Sequence, residues 1–169
     1  HPDRLKKDMP IKGGIRVFSP VLGEAITAKI VEDLQQRFDI QTIISRYKNE
    51  GKRLSIVGKY TGGLIPGLLI AQKLGLPFDT LTKRPFNFKV DSQHVIDVEE
   101  PHLPRTSPEY YSHMIVYPNT GVIVVDDEVT KGDVLVNTMQ ALKLFGINVE
   151  SNVIVLQSTN EAGLRMQKE

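Results

Sequence analysis

Two adjacent carboxylates, Asp126 and Asp127, are followed closely by Thr130-Lys131-Gly132-Asp133-Val134, and these are the residues whose types and spacing best suit chemistry. Gly121 to Val125, all glycine or apolar, lead into the acidic pair, and Leu135 to Phe145 after it carries apolar residues at helical spacing. An apolar run without polar alternation reads as a central parallel strand covered on both faces. Its carboxyl end then opens into the crevice where open α/β sheets bind ligands. Two carboxylates there can accept hydrogen bonds from the vicinal 2- and 3-hydroxyls of a ribose. The backbone N–H groups of the following turn, with the positive end of the helix dipole, suit a phosphate. An Asp-Asp pair by itself is an ordinary solvated strand end; the buried run before it and the glycine loop and helix after it favour a sugar-phosphate grip.

Cations converge on the same edge from two other strands. Leu54 to Val57 reads as a core strand that leaves through Gly58-Lys59-Tyr60-Thr61-Gly62-Gly63 into Leu64 to Leu74, a nearly all-apolar helix. Pro66 near its first turn and Gly75 just past its end, where a left-handed cap is expected, frame that helix. Strand, glycine loop and helix form the first half of a βαβ unit. Lys59 offers charge, and the backbone around Thr61 and Gly62 offers hydrogen bonds. Leu76 to Thr82 reads as a second core strand ending in Lys83-Arg84-Pro85, whose cations reach the same crevice.

These residues resemble a known family. Val122 to Gly132 is similar to the phosphoribosyl pyrophosphate signature of the type I phosphoribosyltransferases, in which apolar residues precede Asp-Asp or Glu-Asp, two variable residues, and Thr-Thr-Gly-x-Thr or Ala-Thr-Gly-x-Thr. The acidic pair and Gly132 match. Lys131 stands where the family has its second Thr, and Val134 where it has the final Thr whose hydroxyl is offered to the 5-phosphate. The resemblance implies that Asp126 and Asp127 fix the ribose hydroxyls and that Thr130, Lys131, Gly132, Asp133 and Val134 take the 5-phosphate. It also implies that Lys59, Tyr60, Thr61, Gly62 and Lys83 take the pyrophosphate.

Two further stretches are similar to the adenine branch. Gly13 to Leu22 looks like the amino-terminal hood element of adenine phosphoribosyltransferases, with Ile15, Arg16 and Val17 in the base-facing positions and Val17 where that branch has Asp. Ser107-Pro108-Glu109-Tyr110 bears a partial likeness to its Ser-Tyr-x-Leu-Glu-Tyr, which implies that Glu109 lies near base and ribose. The segment from Pro85 to Thr120 lacks helical periodicity and reads as short strands and a long excursion. In the family a mobile loop in this place closes over the reacting centre. The likeness spans Pro10 to Arg165.

Composition narrows the alternatives. With 169 residues, 40% hydrophobic and 24% charged, the chain suits one soluble domain over 1–169; a chain of about 150 residues hides roughly 70% of its extended surface. A net charge of +1 gives no global field for nucleic acid or an anionic membrane. Cysteine is absent, which excludes disulfides, thiolate nucleophiles and Cys-ligated metal. His1 to Lys7 are polar, so no secretory leader is expected. The absence of an initiator Met points to a trimmed chain, and a cytoplasmic location is expected. The histidines show no metal-ligand spacing, and neither a Gly-x-x-x-x-Gly-Lys-Ser/Thr loop nor a Gly-x-Ser-x-Gly elbow occurs.

Ahead of the first strand, Ser19-Pro20 opens a helix, with Leu22, Ile26, Ile30 and Leu34 every four residues and Ala25, Val31 and Phe38 widening the stripe. Ile40, Ile43, Ile44 and Tyr47 suggest a further turn or two of helix ending near Gly51. Val134 to Phe145 reads as a helix ending at Gly146, and Val149 to Leu156 as an apolar strand. Alternating strand and helix patterns predict an α/β fold, a parallel sheet flanked by helices. The resemblance adds a small hood, a flexible loop and a homodimer.

The expected activity is transfer of 5-phosphoribosyl from phosphoribosyl pyrophosphate to a purine-like base, adenine-type, with Mg²⁺ as cofactor held mostly by substrate and water. Nucleic acid and membrane are not expected partners. The alternative from another class is a regulatory protein that binds phosphoribosyl pyrophosphate or nucleotide with reduced catalysis.

Overall fold

The computed structural model describes residues 20–60, 62–83, 95–101, 103–117, 120–129 and 133–157. Helix α1 (Pro20–Phe38) and α2 (Ile40–Asn49) precede β1 (Arg53–Lys59), α3 (Leu64–Leu74) and β2 (Phe78–Leu81). Then come β3 (Val95–Glu99), β4 (Tyr111–Ile115), β5 (Thr120–Val129), α4 (Asp133–Leu144) and β6 (Asn148–Gln157). Four strands form a parallel sheet in the order β2-β1-β5-β6, so β5 is central, and β3 and β4 form a separate antiparallel pair.

Two cores sandwich the sheet. On one face Ile56 of β1 with Ile123 and Val125 of β5 meet Val31 and Leu34 of α1, Ile40 of α2, and Ile70 and Ala71 of α3. On the other, Val57, Val122 and Val124 meet Leu135 and Leu142 of α4 together with Ile96, Val98 and Met114 of the β3–β4 pair. Val122 to Val125 are fully buried, as an apolar central strand requires. Among the described residues no helix is long and apolar enough to cross a membrane.

The sequence boundaries hold within a few residues, with instructive departures. In α1 the buried side is Thr27, Val31 and Leu34, while Ala25 is exposed and Phe38 is 50% exposed. Asp39, at φ 44°, turns the chain in the left-handed region after Phe38, and the next residue, Ile40, fills the core in its place. The apolar α3 likewise leaves Leu68 exposed. Gly75 and Gly146 adopt positive φ past the ends of α3 and α4, as left-handed caps do.

Strand β5 runs further than its apolar stretch. Its pairing with β1 stops at Val125 opposite Gly58, whereas β6 accompanies it from Gly121 to Val129, with Asp126 opposite Ile154. The acidic pair therefore lies inside a strand that projects past β1 on one side and stays hydrogen-bonded on the other. The excursion after β2 is partly a packed hairpin: Thr82 and His113 exchange backbone hydrogen bonds of 2.9 and 2.6 Å, which hooks β4 to the end of β2.

Candidate functional site

The carboxyl ends of β1 and β5 bring Lys59 and Asp126 together. Lys59 is the last residue of β1, and its side chain lies on the Val57 side of the sheet, facing the hairpin. Only 9% of Lys59 and 8% of Asp126 are exposed. The Lys59 ammonium stands 3.8 Å from Asp126 Oδ2 and 3.7 Å from Oε1 of Glu100, a fully buried carboxylate just past β3. Both separations exceed ordinary N–H···O hydrogen-bond lengths, so these two contacts are ion pairs rather than direct hydrogen bonds. Each attraction is roughly 4 kcal/mol at 4 Å under an effective dielectric of 20, before the cost of desolvating the charges. That cost is why such a cluster needs several elements to hold it.

Glu100 is held firmly. Ser112 Oγ of β4 donates to its Oε1 at 2.6 Å, and its backbone N–H donates to the Tyr110 carbonyl at 2.8 Å. One residue earlier, the Glu99 carbonyl accepts a bond from Asn137 Nδ2 of α4 at 3.3 Å. The helix that follows the acidic pair thus also anchors the hairpin that delivers Glu100.

The glycine loop after β1 is equally constrained. Tyr60 N–H donates to the Leu81 carbonyl at 2.8 Å and Gly63 N–H to the Lys59 carbonyl at 2.9 Å. A Cβ on Gly63 would lie 2.1 Å from the Val125 carbonyl oxygen, so only glycine lets the loop lie against the residue preceding Asp126. Gly58 and Gly67 similarly admit the Phe78 ring, each within 2.9 Å of where a Cβ would be. Gly62 is buried beside Gly63, and Lys83, partly buried, follows the Thr82 bridge.

Asp133 and Val134 open α4, where Asp133 complements the helix dipole. Thr138 Oγ1 caps back onto the Val134 carbonyl at 2.7 Å. Glu109 is exposed on the hairpin loop, its N–H donating to Ser107 Oγ at 3.2 Å; the hairpin carboxylate beside Lys59 and Asp126 is Glu100. Asp127 lies in β5, with its side chain outside the described residues. Ile15, Arg16, Thr61, Thr130, Lys131 and Gly132 also lie outside them, as do Ser19 and Arg84.

Residues 28–167 match the family model described as the phosphoribosyl transferase domain. The chain belongs to that family. Its class is accordingly that of the phosphoribosyltransferases, pentosyl-transferring enzymes. No curated protein matches the chain in sequence. Solved phosphoribosyltransferases share its fold. The adenine phosphoribosyltransferase of Saccharomyces cerevisiae, crystallised with an imino-altritol bisphosphate and adenine, is 17% identical at a TM-score of 0.60, covering 87% of this chain and 76% of that one. That of Leishmania tarentolae is 21% identical at 0.56, over 88% and 64%. That of Trypanosoma brucei, in complex with AMP, pyrophosphate and ribose-5-phosphate, is 20% identical at 0.54, over 87% and 57%. At these identities the likeness is one of fold, a parallel sheet flanked by helices.

Proposed function

We propose that this phosphoribosyltransferase moves the 5-phosphoribosyl group of phosphoribosyl pyrophosphate onto a ring nitrogen of a purine-like base, adenine-type, in nucleotide salvage. The observation that carries the reading is the buried meeting of Lys59 and Asp126 at the carboxyl ends of neighbouring parallel strands, under a glycine loop packed on the Val125 carbonyl. On this reading Lys59 is the cation for the leaving group and Asp126 the carboxylate for the sugar. The bound adenine, AMP, pyrophosphate and ribose-5-phosphate of the yeast and trypanosomal structures accord with that choice of substrates.

In this reaction the base nitrogen's lone pair forms the new bond to C1 of the ribose as the C1–O bond breaks, and pyrophosphate leaves with the bonding pair. The sugar passes through an electron-poor, oxocarbenium-like state, so positioning and charge stabilisation dominate. Asp126 and Asp127 accept from the ribose hydroxyls and supply negative charge near the developing cation. Lys59, with Tyr60, Thr61, Gly62 and Lys83, receives the pyrophosphate. Thr130 to Val134 hold the 5-phosphate, while Ile15 and Arg16 face the base and Glu109 serves it from the hairpin loop.

The donor set suits Mg²⁺, since the carboxylate oxygens of Asp126 are hard ligands with the second acid adjoining it in sequence. Substrate oxygens and water would complete its shell. When bound, the cation neutralises charge on the departing pyrophosphate. On this reading the chain works as a single domain over 1–169 in a cytoplasmic homodimer, with neither nucleic acid nor membrane as a partner.

Val134 favours a second reading. An apolar side chain in the first turn of α4 replaces a phosphate-binding hydroxyl, as expected of a regulatory protein that binds phosphoribosyl pyrophosphate with reduced turnover. The test of the enzyme is the double substitution Asp126→Asn with Asp127→Asn. Pyrophosphate release should be abolished while circular dichroism and thermal unfolding stay near wild type; unchanged release would rule out the ribose grip.

A further inference from the structure

We propose that Phe78 is a positioning residue for phosphoribosyl transfer, setting the place of the glycine loop after β1; this rests on that loop being the pyrophosphate site. Phe78 opens β2 opposite Ile56 and therefore lies on the α3 side of the sheet, packed against the core that holds Ile56, Ile70 and Ala71. On that side α3 meets β1 backbone against backbone, since a Cβ on Gly67 would stand 3.2 Å from the Gly58 Cα. The Phe78 ring enters this crossing. Its Cε2 lies 2.9 Å from where a Cβ on either glycine would be, and its Cζ 2.8 Å from that of Gly58.

Two facing glycines let a helix and a strand approach closely, but they leave no side chains to interlock, and interlocking side chains are what fix the register of packed elements. Phe78 supplies that key from the neighbouring strand. The place of α3 passes directly into the loop, because Gly67 N–H donates to the Gly63 carbonyl and Gly63 N–H to the Lys59 carbonyl, each at 2.9 Å. The Gly63 carbonyl oxygen also lies 2.7 Å from where a Cβ on Gly58 would be, so one strand residue abuts helix, loop and ring together. At the other end of β2 the Leu81 carbonyl accepts the Tyr60 N–H at 2.8 Å. Strand β2 thus holds the loop at its start through Leu81 and at its end through Phe78, with Gly62 between them.

Phe78→Ala empties the gap and alters none of the residues assigned to a ligand. Titration of inorganic pyrophosphate with Mg²⁺ should show its dissociation constant rising at least about tenfold, the scale of loss expected when a binding group is misplaced by about 1 Å. Ribose 5-phosphate, assigned to the acidic pair and the turn after it, should keep its wild-type constant. In steady-state assays KM for phosphoribosyl pyrophosphate should rise with the pyrophosphate constant. Lost stability alone would lower the number of competent molecules, and with it apparent kcat and binding stoichiometry, but would leave KM and both dissociation constants unchanged. A crystal structure of the variant should show Gly63 displaced from the Val125 carbonyl.

An unchanged pyrophosphate constant in folded Phe78→Ala, equal weakening of both ligands, or a Gly63 that has not moved would overturn the proposal. Should Phe78→Ala fail to fold, Phe78→Leu keeps apolar bulk without the ring that reaches both glycines, and should show the same selective loss at smaller size; an unchanged pyrophosphate constant there overturns it equally. Wild-type protein that binds neither pyrophosphate nor phosphoribosyl pyrophosphate would refute the functional reading instead, while the position of Gly63 in the variant crystal would still decide whether Phe78 sets the loop.

Discussion

A methyl group at position 63 would have no room. Its Cβ would lie 2.1 Å from the Val125 carbonyl oxygen and 2.8 Å from the Lys59 nitrogen, and both obstacles are backbone that cannot rotate away. Gly63→Ala should therefore push the glycine loop off β5, at a cost of about 1–3 kcal/mol in denaturant unfolding as for other overpacked sites. Pyrophosphate release should fall by far more than that stability loss explains, because the displaced loop follows directly on Lys59 and abuts the residue before Asp126. Wild-type stability and turnover in Gly63→Ala would show that the loop does not depend on this contact. The sequence made Lys59 and Asp126 legible, since a charge at the end of an apolar strand is conspicuous. Glu100 was legible too, by a signal easily passed over: two-residue alternation through Ile96 and Val98 puts Glu100 on the same apolar face. A carboxylate on a buried stripe has to be explained, whereas Glu109, favoured by motif likeness, is exposed on the loop.

Elements explain why the opposite edge of the sheet is built as it is. Between the pairs Val122–Val149 and Ile123–Ser151, β6 carries one extra residue, Glu150. The bulge turns its carboxylate to α2, where Oε1 accepts from the Tyr47 hydroxyl at 2.5 Å and from Arg46 at 2.8 Å. The Tyr47 ring in turn covers Gly121, where a Cβ would lie 2.1 Å from the hydroxyl oxygen. Burial, reinforced by the bond to Glu150, raises the Tyr47 hydroxyl above its ordinary pKa of 10.0. The protonated form is thus favoured in the folded chain. Its contribution to stability is complete below pH 10 and is lost as pH rises through the higher folded value. Tyr47→Phe should lower stability near neutrality by about 1 kcal/mol and flatten the fall in stability above pH 10, as measured by urea unfolding across pH. An alkaline slope identical to wild type would remove Tyr47 from that role. Neither the bulge nor the Thr82–His113 hook could be read from sequence. The first is one inserted residue whose partner strand lies elsewhere in the chain, and the second is made by backbone atoms that every residue possesses.

At the scale of the whole molecule, the order β2-β1-β5-β6 brings the ends of β1, β2 and β5 to one edge, and with them Lys59, Lys83 and Asp126. That much followed from the sequence because buried parallel strands are continuous apolar runs, and helices between them keep a different period. The identity of the base did not follow: Ile15 and Arg16, which the family likeness sets against it, are side-chain types that do not encode the shape of a pocket. Isothermal titration of phosphoribosyl pyrophosphate into the purified chain, with and without Mg²⁺, followed in the same samples by pyrophosphate release over a panel of purine and pyrimidine bases, tests the central claim most directly. Magnesium-dependent binding with release for a purine such as adenine is the predicted result. Binding without release from any base would contradict the transferase in favour of the regulatory reading, and no binding at all would contradict the phosphoribosyl site built on Lys59 and Asp126.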